Sequence, residues 1–139
     1  MKFHLGVSEE GYPSKPIKPT GIKYIKTELN QQKLFDLILS GHVFTHNFKN
    51  LTTYYQNQKT TETFESTNVI FFDFDDCKYT FQELLNKLKI QPVIGYTTFS
   101  NSIDKNRFRL VYLIDEGIRF YDDYSLMCKL LLNILLVLL

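Results

Sequence analysis

Asp73 and Asp75 stand two residues apart at the end of an unbroken apolar run, Val69, Ile70, Phe71 and Phe72. Four such residues in succession are the pattern of a strand covered on both faces. Side chains two apart on a strand project from the same face. Two carboxylates held that close repel each other unless a cation lies between them. A hard divalent ion, Mg²⁺ or Mn²⁺, prefers oxygen ligands and completes its shell with water and substrate phosphate. The spacing therefore predicts a divalent-metal site at Asp73 and Asp75, with Asp76 turned off that face as a turn residue. The competing reading is a strand that simply ends in acidic residues capping the next turn.

Arg107 and Arg109 repeat this geometry with the opposite charge. Residues 107–114 alternate, which places the two guanidiniums on one face and Phe108, Leu110, Tyr112 and Ile114 on the other. Guanidiniums beside metal-binding carboxylates suit a nucleoside triphosphate, although the same pattern serves a solvated face with surface ion pairs. Thr98 and Ser100 also share a face and offer hydroxyls to phosphate oxygens. His42 and His46 are four apart, but Val43, Phe44 and Thr45 between them favour a strand, so both are read as structural. Cys77 and Cys128 have no metal-ligand spacing, which leaves zinc unsupported and excludes a disulfide framework. Cys77 reads as a packing residue.

The elements that must position these groups follow from periodicity and punctuation. Residues 11–21 carry Pro13, Pro16 and Pro19 among lysines and read as an extended arm, so the expected division is an arm over 1–26 and a core over 27–139. Thr27 is the expected cap of a helix ending near Leu39, with Gly41 as its stop. Residues 43–48 read as a short strand, and residues 49–67 as a polar loop with some helix. Thr80 and Glu83 form a capping box for a second helix. Pro92 opens another strand through Val93, Ile94 and Tyr96 to Ser100. Residues 101–106 and 115–117 read as turns, and a last helix starts near Asp122. The short turn at 101–106 forces its two flanking strands antiparallel, which predicts an α+β fold: a mainly antiparallel sheet with helices packed on one face.

A chain of 139 residues with 44% hydrophobic residues is the size and composition of one ordinary globular domain. Its net charge of +1 supplies no bulk attraction to nucleic acid or membrane, so any phosphate contact must come from a local cluster. Residues 1–6 lack the apolar centre of a secretory signal, and a cytoplasmic protein with no membrane partner is expected. Residues 130–139 are apolar except for Asn133, too few for the ~20 that span a bilayer. A helix apolar all round needs cover on every side, so the run reads either as a core helix or as the end of a chain truncated at its C-terminus, the latter being the expectation.

The strand ending in Asp73 and Asp75, the helix after it, Pro92-Val93-Ile94-Gly95-Tyr96-Thr97-Thr98-Phe99-Ser100, and Arg107-Phe108-Arg109-Leu110-Val111-Tyr112-Leu113 together resemble the catalytic core of the archaeo-eukaryotic primase superfamily. The nearest likeness is to the primase-like domains of phages, plasmids and bacterial mobile elements. It covers about the middle third of the chain, with a weaker echo at Ser40-Gly41-His42. The resemblance implies an RRM-like sheet and a nucleotidyltransferase that synthesises primers in DNA replication. Nucleoside triphosphates, a single-stranded DNA template and a helicase are the implied partners, and Mg²⁺ or Mn²⁺ the implied cofactor. Asp73 and Asp75 match the family's metal-binding pair. Ser100 falls near its second motif, where no histidine follows, so Arg107 or Arg109 takes that nucleotide-binding place, with Thr98 nearby. Asp115 is the one candidate for the third catalytic acid.

Two other functions fit parts of the pattern. A haloacid-dehalogenase-like phosphatase would use Asp73 as nucleophile and Asp75 as acid/base, but that family has Thr or Val where Cys77 stands, a parallel sheet and a later lysine. A non-catalytic RRM-like module would bind nucleic acid or a protein through the same sheet.

Overall fold

The structure, a computed structural model, describes residues 1–15, 22–49, 63–99 and 101–137. The chain divides into two compact units, the first comprising Met1–Asn68 and Ile114–Tyr124 and the second Val69–Leu113 and Ser125–Leu139.

In the first unit, strand β1 (Phe3–Ser8) alternates strictly enough to bury Phe3, Leu5 and Val7. It pairs antiparallel with β2 (Tyr24–Leu29), from Phe3 opposite Leu29 to Ser8 opposite Tyr24. On its other side it pairs antiparallel with the short β3 (Phe44–Thr45). The stretch expected as an arm thus contributes the central strand of a three-stranded sheet, ordered β2-β1-β3. Its period-2 apolar residues outweigh the prolines and lysines that follow. Of those prolines, Pro16 and Pro19 lie outside the described residues.

Thr27 belongs to β2 and its hydroxyl donates to the Ile25 carbonyl. Helix α1 (Gln31–Leu39) is capped instead by Asn30, whose side chain accepts from the Lys33 amide at 2.8 Å. Its end is the expected one. Gly41 has φ +78, its N–H donates to the Ile38 carbonyl, and the His42 N–H donates to that of Leu37. This is the double closure that a left-handed residue after the last turn makes available.

Strand β4 (Asn47–Phe48) pairs antiparallel with the start of β5 (Phe64–Cys77). The expected loop at 49–67 therefore ends earlier than read, and its residues 50–62 lie outside the described ones. Ile22, Tyr24, Phe48 and Phe64 form a buried cluster with Tyr12, Val43 and Tyr124 against it. Strand β7 (Asn106–Ile118) runs straight through residues 115–117, which were expected to turn. The Asn68 amide donates to the Ile114 and Asp115 carbonyls at 2.9 and 3.4 Å, and Gly117 lies against the same side chain.

In the second unit the later part of β5, then β7, then β6 (Ile94–Thr97) lie in hydrogen-bonded order. Strands β6 and β7 are antiparallel, from Ile94 opposite Val111 to Thr97 opposite Phe108, as the short connection requires. Thr80 and Glu83 close the expected capping box of α2 (Phe81–Lys87). Buried Phe72, Leu84, Leu88, Phe108, Leu110 and Tyr112 supply the apolar interior here. Phe72 meets Tyr112 edge-on with ring centroids 5.9 Å apart, and Phe81 lies 5.3 Å from Phe108. Gly95 leaves the space for that ring, because a Cβ there would stand 2.9 Å from Phe81 Cζ.

The last helix, α3 (Tyr121–Val137), starts in the first unit and continues in the second. Leu135 is buried, while Leu126, Leu130 and Ile134 are exposed. The architecture is α+β with mainly antiparallel strands, the RRM-like class read from the sequence. No helix among the described residues is long and apolar enough to cross a membrane.

Candidate functional site

Alternation along the second half of β5 places Phe71, Asp73 and Asp75 on one face and Ile70, Phe72 and Phe74 on the other. On β7 the corresponding open-face residues are Arg107 and Arg109, and Arg109 stands directly opposite Tyr96 of β6. These three strands bring the two signs of charge together. Arg109 Nε donates to Asp73 Oδ1 at 2.5 Å and its Nη2 donates to Oδ2 at 3.0 Å. Both carboxylate oxygens are thus held by one planar fork, the strongest geometry open to this pair of side chains. The guanidinium lies 5.3 Å from the centre of the Phe71 ring, and its Nη1 reaches Tyr96 Oη at 3.5 Å.

Burial and contact act in opposite directions on these groups. Burial works against the charge of Arg109, but hydrogen bonding to Asp73 and the nearby Tyr96 outweigh it, so the guanidinium holds its proton more tightly than usual. Burial pushes the Tyr96 phenol up, with Arg109 pulling it back. Asp73 remains 49% exposed at its side chain, so this ion pair is open to an incoming ligand.

Asp75 is exposed and has no side-chain partner among the described residues. Asp76, read as a turn residue, lies instead within β5 near its end, with φ 53, the left-handed conformation that Asp tolerates. Arg107 is half-buried. Its backbone N–H donates to Asn101 Oδ1, and its carbonyl accepts from the Thr98 N–H. Its Nε is buried with no acceptor among the described residues. Thr98 follows Tyr96 by two and shares its face, beside Arg107. Ser100 lies outside the described residues.

Asp115 belongs to the first unit, exposed, with its carbonyl held by Asn68. The second unit's own carboxylates are Asp73, Asp75, Asp76, Glu83 and Asp104. Among the described residues no group of three or more His, Cys, Asp or Glu side chains is placed to hold a metal ion. The donor set offered to Mg²⁺ or Mn²⁺ is therefore Asp73 and Asp75, with Asp73 shared with Arg109. Each Asp73 oxygen keeps a second lone-pair direction, and these ions are commonly held by one or two carboxylates plus substrate phosphate. The residues fit a metal that arrives with phosphate, and not a cage built by protein alone.

Two further residues contribute to the site and its surroundings. Tyr96 has one sequence signal for its role, the spacing of two from Thr98 that puts it on the charged face. Asn106 opens β7 where the sequence predicts a turn, and its amide donates to the carbonyls of Cys77 and Tyr79 and so ties down the loop that leaves β5. No pattern in the sequence signals that contact. In the first unit, His42 Nδ1 lies 2.9 Å from the Ser8 carbonyl oxygen, and His46 Nδ1 lies 3.1 Å from Thr67 Oγ1 with its ring 4.5 Å from that of Tyr124.

No family model, curated protein or solved structure matches the chain. Function therefore rests on the chemistry of the site.

Proposed function

We propose that the chain is a primase-like nucleotidyltransferase domain. It binds a nucleoside triphosphate with Mg²⁺ or Mn²⁺, and its role is primer synthesis on single-stranded DNA during replication, with a helicase as partner. The observation that carries this reading is the Arg107 Nε, buried without an acceptor among the described residues, on the face that also presents Arg109, Asp73 and Asp75. A buried guanidinium N–H without a partner is costly, and a phosphate oxygen is the acceptor its planar geometry suits best.

On this reading Asp73 and Asp75 hold the metal, which supplies Lewis-acid polarisation of the phosphates. Arg107 and Arg109 bind the triphosphate oxygens and stabilise charge developing on the leaving pyrophosphate. Thr98 supplies a hydroxyl just beyond β6, while Ser100 and Asp115 keep only the nucleotide-binding and third-acid roles that the resemblance implies. The phosphatase alternative calls for parallel strands around Asp73. The antiparallel pairing of β6 with β7, two strands of the charged face, counts against the parallel sheet of that family.

The test is a titration of Mn²⁺ and a labelled nucleoside triphosphate into the wild type and the double variant Asp73→Ala/Asp75→Ala. Triphosphate binding that needs the metal and is lost in the variant is the expected result. Covalent trapping at Asp73 by beryllofluoride would establish the phosphatase instead. Nucleic-acid binding that ignores both the metal and the substitutions would leave only a non-catalytic module.

A further inference from the structure

Asp73, Asp75, Arg107 and Arg109 place two negative and two positive charges on one strand face, which leaves that face with no net charge. A free divalent cation therefore meets little long-range attraction there. It also finds Asp73 already occupied, since Arg109 engages both carboxylate oxygens at 2.5 and 3.0 Å. Giving Asp73 to a cation alone would set that cation beside a guanidinium. Arg109, half-buried over Phe71, would then lose the acceptor that compensates its burial.

A free triphosphate meets the mirror problem. It can accept from Arg109, but only by entering beside Asp73 and Asp75 with no cation between the like charges. A metal–triphosphate complex removes both difficulties together. Its phosphate oxygens accept the two N–H groups that Arg109 now gives to Asp73, and Asp73 is released to the cation. The number of charge-assisted hydrogen bonds made by Arg109 is conserved in that exchange.

We infer that Arg109 makes this site selective for a metal–nucleoside triphosphate complex over either component alone, by serving as the counter-ion of Asp73 until phosphate replaces it. The inference rests on the proposed function, and it assigns the ligand class of the same site. Arg109 is here a binding residue with two successive partners. The coupling it creates is reciprocal, because whatever metal does for triphosphate affinity, triphosphate does for metal affinity.

The experiment uses the full chain and measures the components separately. Mn²⁺ alone is titrated by electron paramagnetic resonance. A fluorescently labelled ATP is titrated by anisotropy, once in EDTA and once in excess Mn²⁺. The variants are Arg109→Met, which keeps an apolar stem over Phe71 without the fork, and Arg109→Lys, which keeps the charge without the fork. Arg109→Met is expected to bind Mn²⁺ alone about tenfold more tightly than the wild type and labelled ATP in Mn²⁺ about tenfold more weakly, within the usual range of such couplings. Arg109→Lys shifts both affinities in the same directions by less. The opposite signs exclude a folding defect, which would lower both.

Unchanged or weaker Mn²⁺ binding in both variants, beside intact Mn²⁺-dependent ATP binding by the wild type, would overturn the inference and leave the proposed function standing. A wild type that binds neither Mn²⁺ nor labelled ATP would remove both.

Discussion

Asn106 holds the backbone of Tyr79: its side-chain amide donates to the Tyr79 carbonyl at 3.0 Å, and the same nitrogen donates to the Cys77 carbonyl at 3.1 Å. The first residue of β7 thereby fixes the segment between Asp75 and the capping residue Thr80. Asn106→Ala leaves both carbonyls without this donor. The expected cost is about 1–3 kcal/mol, read from the midpoint of a urea transition. Asn106→Asp should cost at least as much, because it turns a carboxylate toward two carbonyl oxygens. Equal stability of all three proteins would show that the clamp contributes nothing.

Gly41 carries a second prediction. Its φ is +78, and a Cβ built there would stand 2.1 Å from the Tyr12 carbonyl oxygen, a distance no real Cβ tolerates. Gly41→Ala combines left-handed strain, about 1–2 kcal/mol, with displacement of a backbone segment whose N–H bonds the Gly41 carbonyl. Ser40→Ala is the neighbouring control. Ser40 has an ordinary φ of −84 and is exposed, so a change within about 0.5 kcal/mol is expected. Thermal or urea unfolding of the pair checks the contrast.

Thr80→Ala tests the start of α2. Thr80 accepts from the Glu83 N–H at 3.2 Å, and the Glu83 carboxylate accepts from the Thr80 N–H at 3.1 Å. A helix of only seven residues depends strongly on such closure. The substitution is expected to cost about 1 kcal/mol, with Thr80→Ser recovering most of it. A Ser variant no better than Ala would mean the hydroxyl is not what caps the helix.

What the sequence made legible divides by range. The shared face of Asp73 and Asp75, the opposite faces of Arg109 and Leu110, the Thr80 cap and the Gly41 stop all depend on neighbours a few residues away. The misread boundaries were decided by competition. Thr27 and Asn30 are both good caps, and β2 claimed Thr27 through its pairing with Leu5. Asp115, Glu116 and Gly117 look like a turn, yet the Asn68 amide, 46 residues before Ile114, bonds the β7 backbone there. The Arg109–Asp73 pair was out of reach for the same reason: it depends on β5 lying beside β7. Proximity of charge was foreseeable, but engagement of both oxygens by one fork was not.

Tyr112 supplies the pH prediction. Its hydroxyl donates to the Ile90 carbonyl at 2.9 Å, and burial pushes the phenol up to about 12 from an ordinary 10.0. The folded protein thus holds this proton more tightly than the unfolded chain. A group raised in this way adds stability that is fully present below the unfolded pKa and is lost as pH climbs toward the folded one. Between pH 10.0 and about 12 the wild type should therefore lose stability steadily through Tyr112. Tyr112→Phe keeps the ring against Phe72 but removes the hydroxyl. Near neutral pH it should be less stable by about 1 kcal/mol, the usual worth of a hydrogen bond. Above pH 10.0 its stability should fall less steeply than that of the wild type, so the two curves converge. Urea transitions across this range measure the convergence. Absorbance at 295 nm checks the assignment, since the variant should lack one late-titrating tyrosine. Parallel stability curves would show that the Tyr112 proton is not linked to folding.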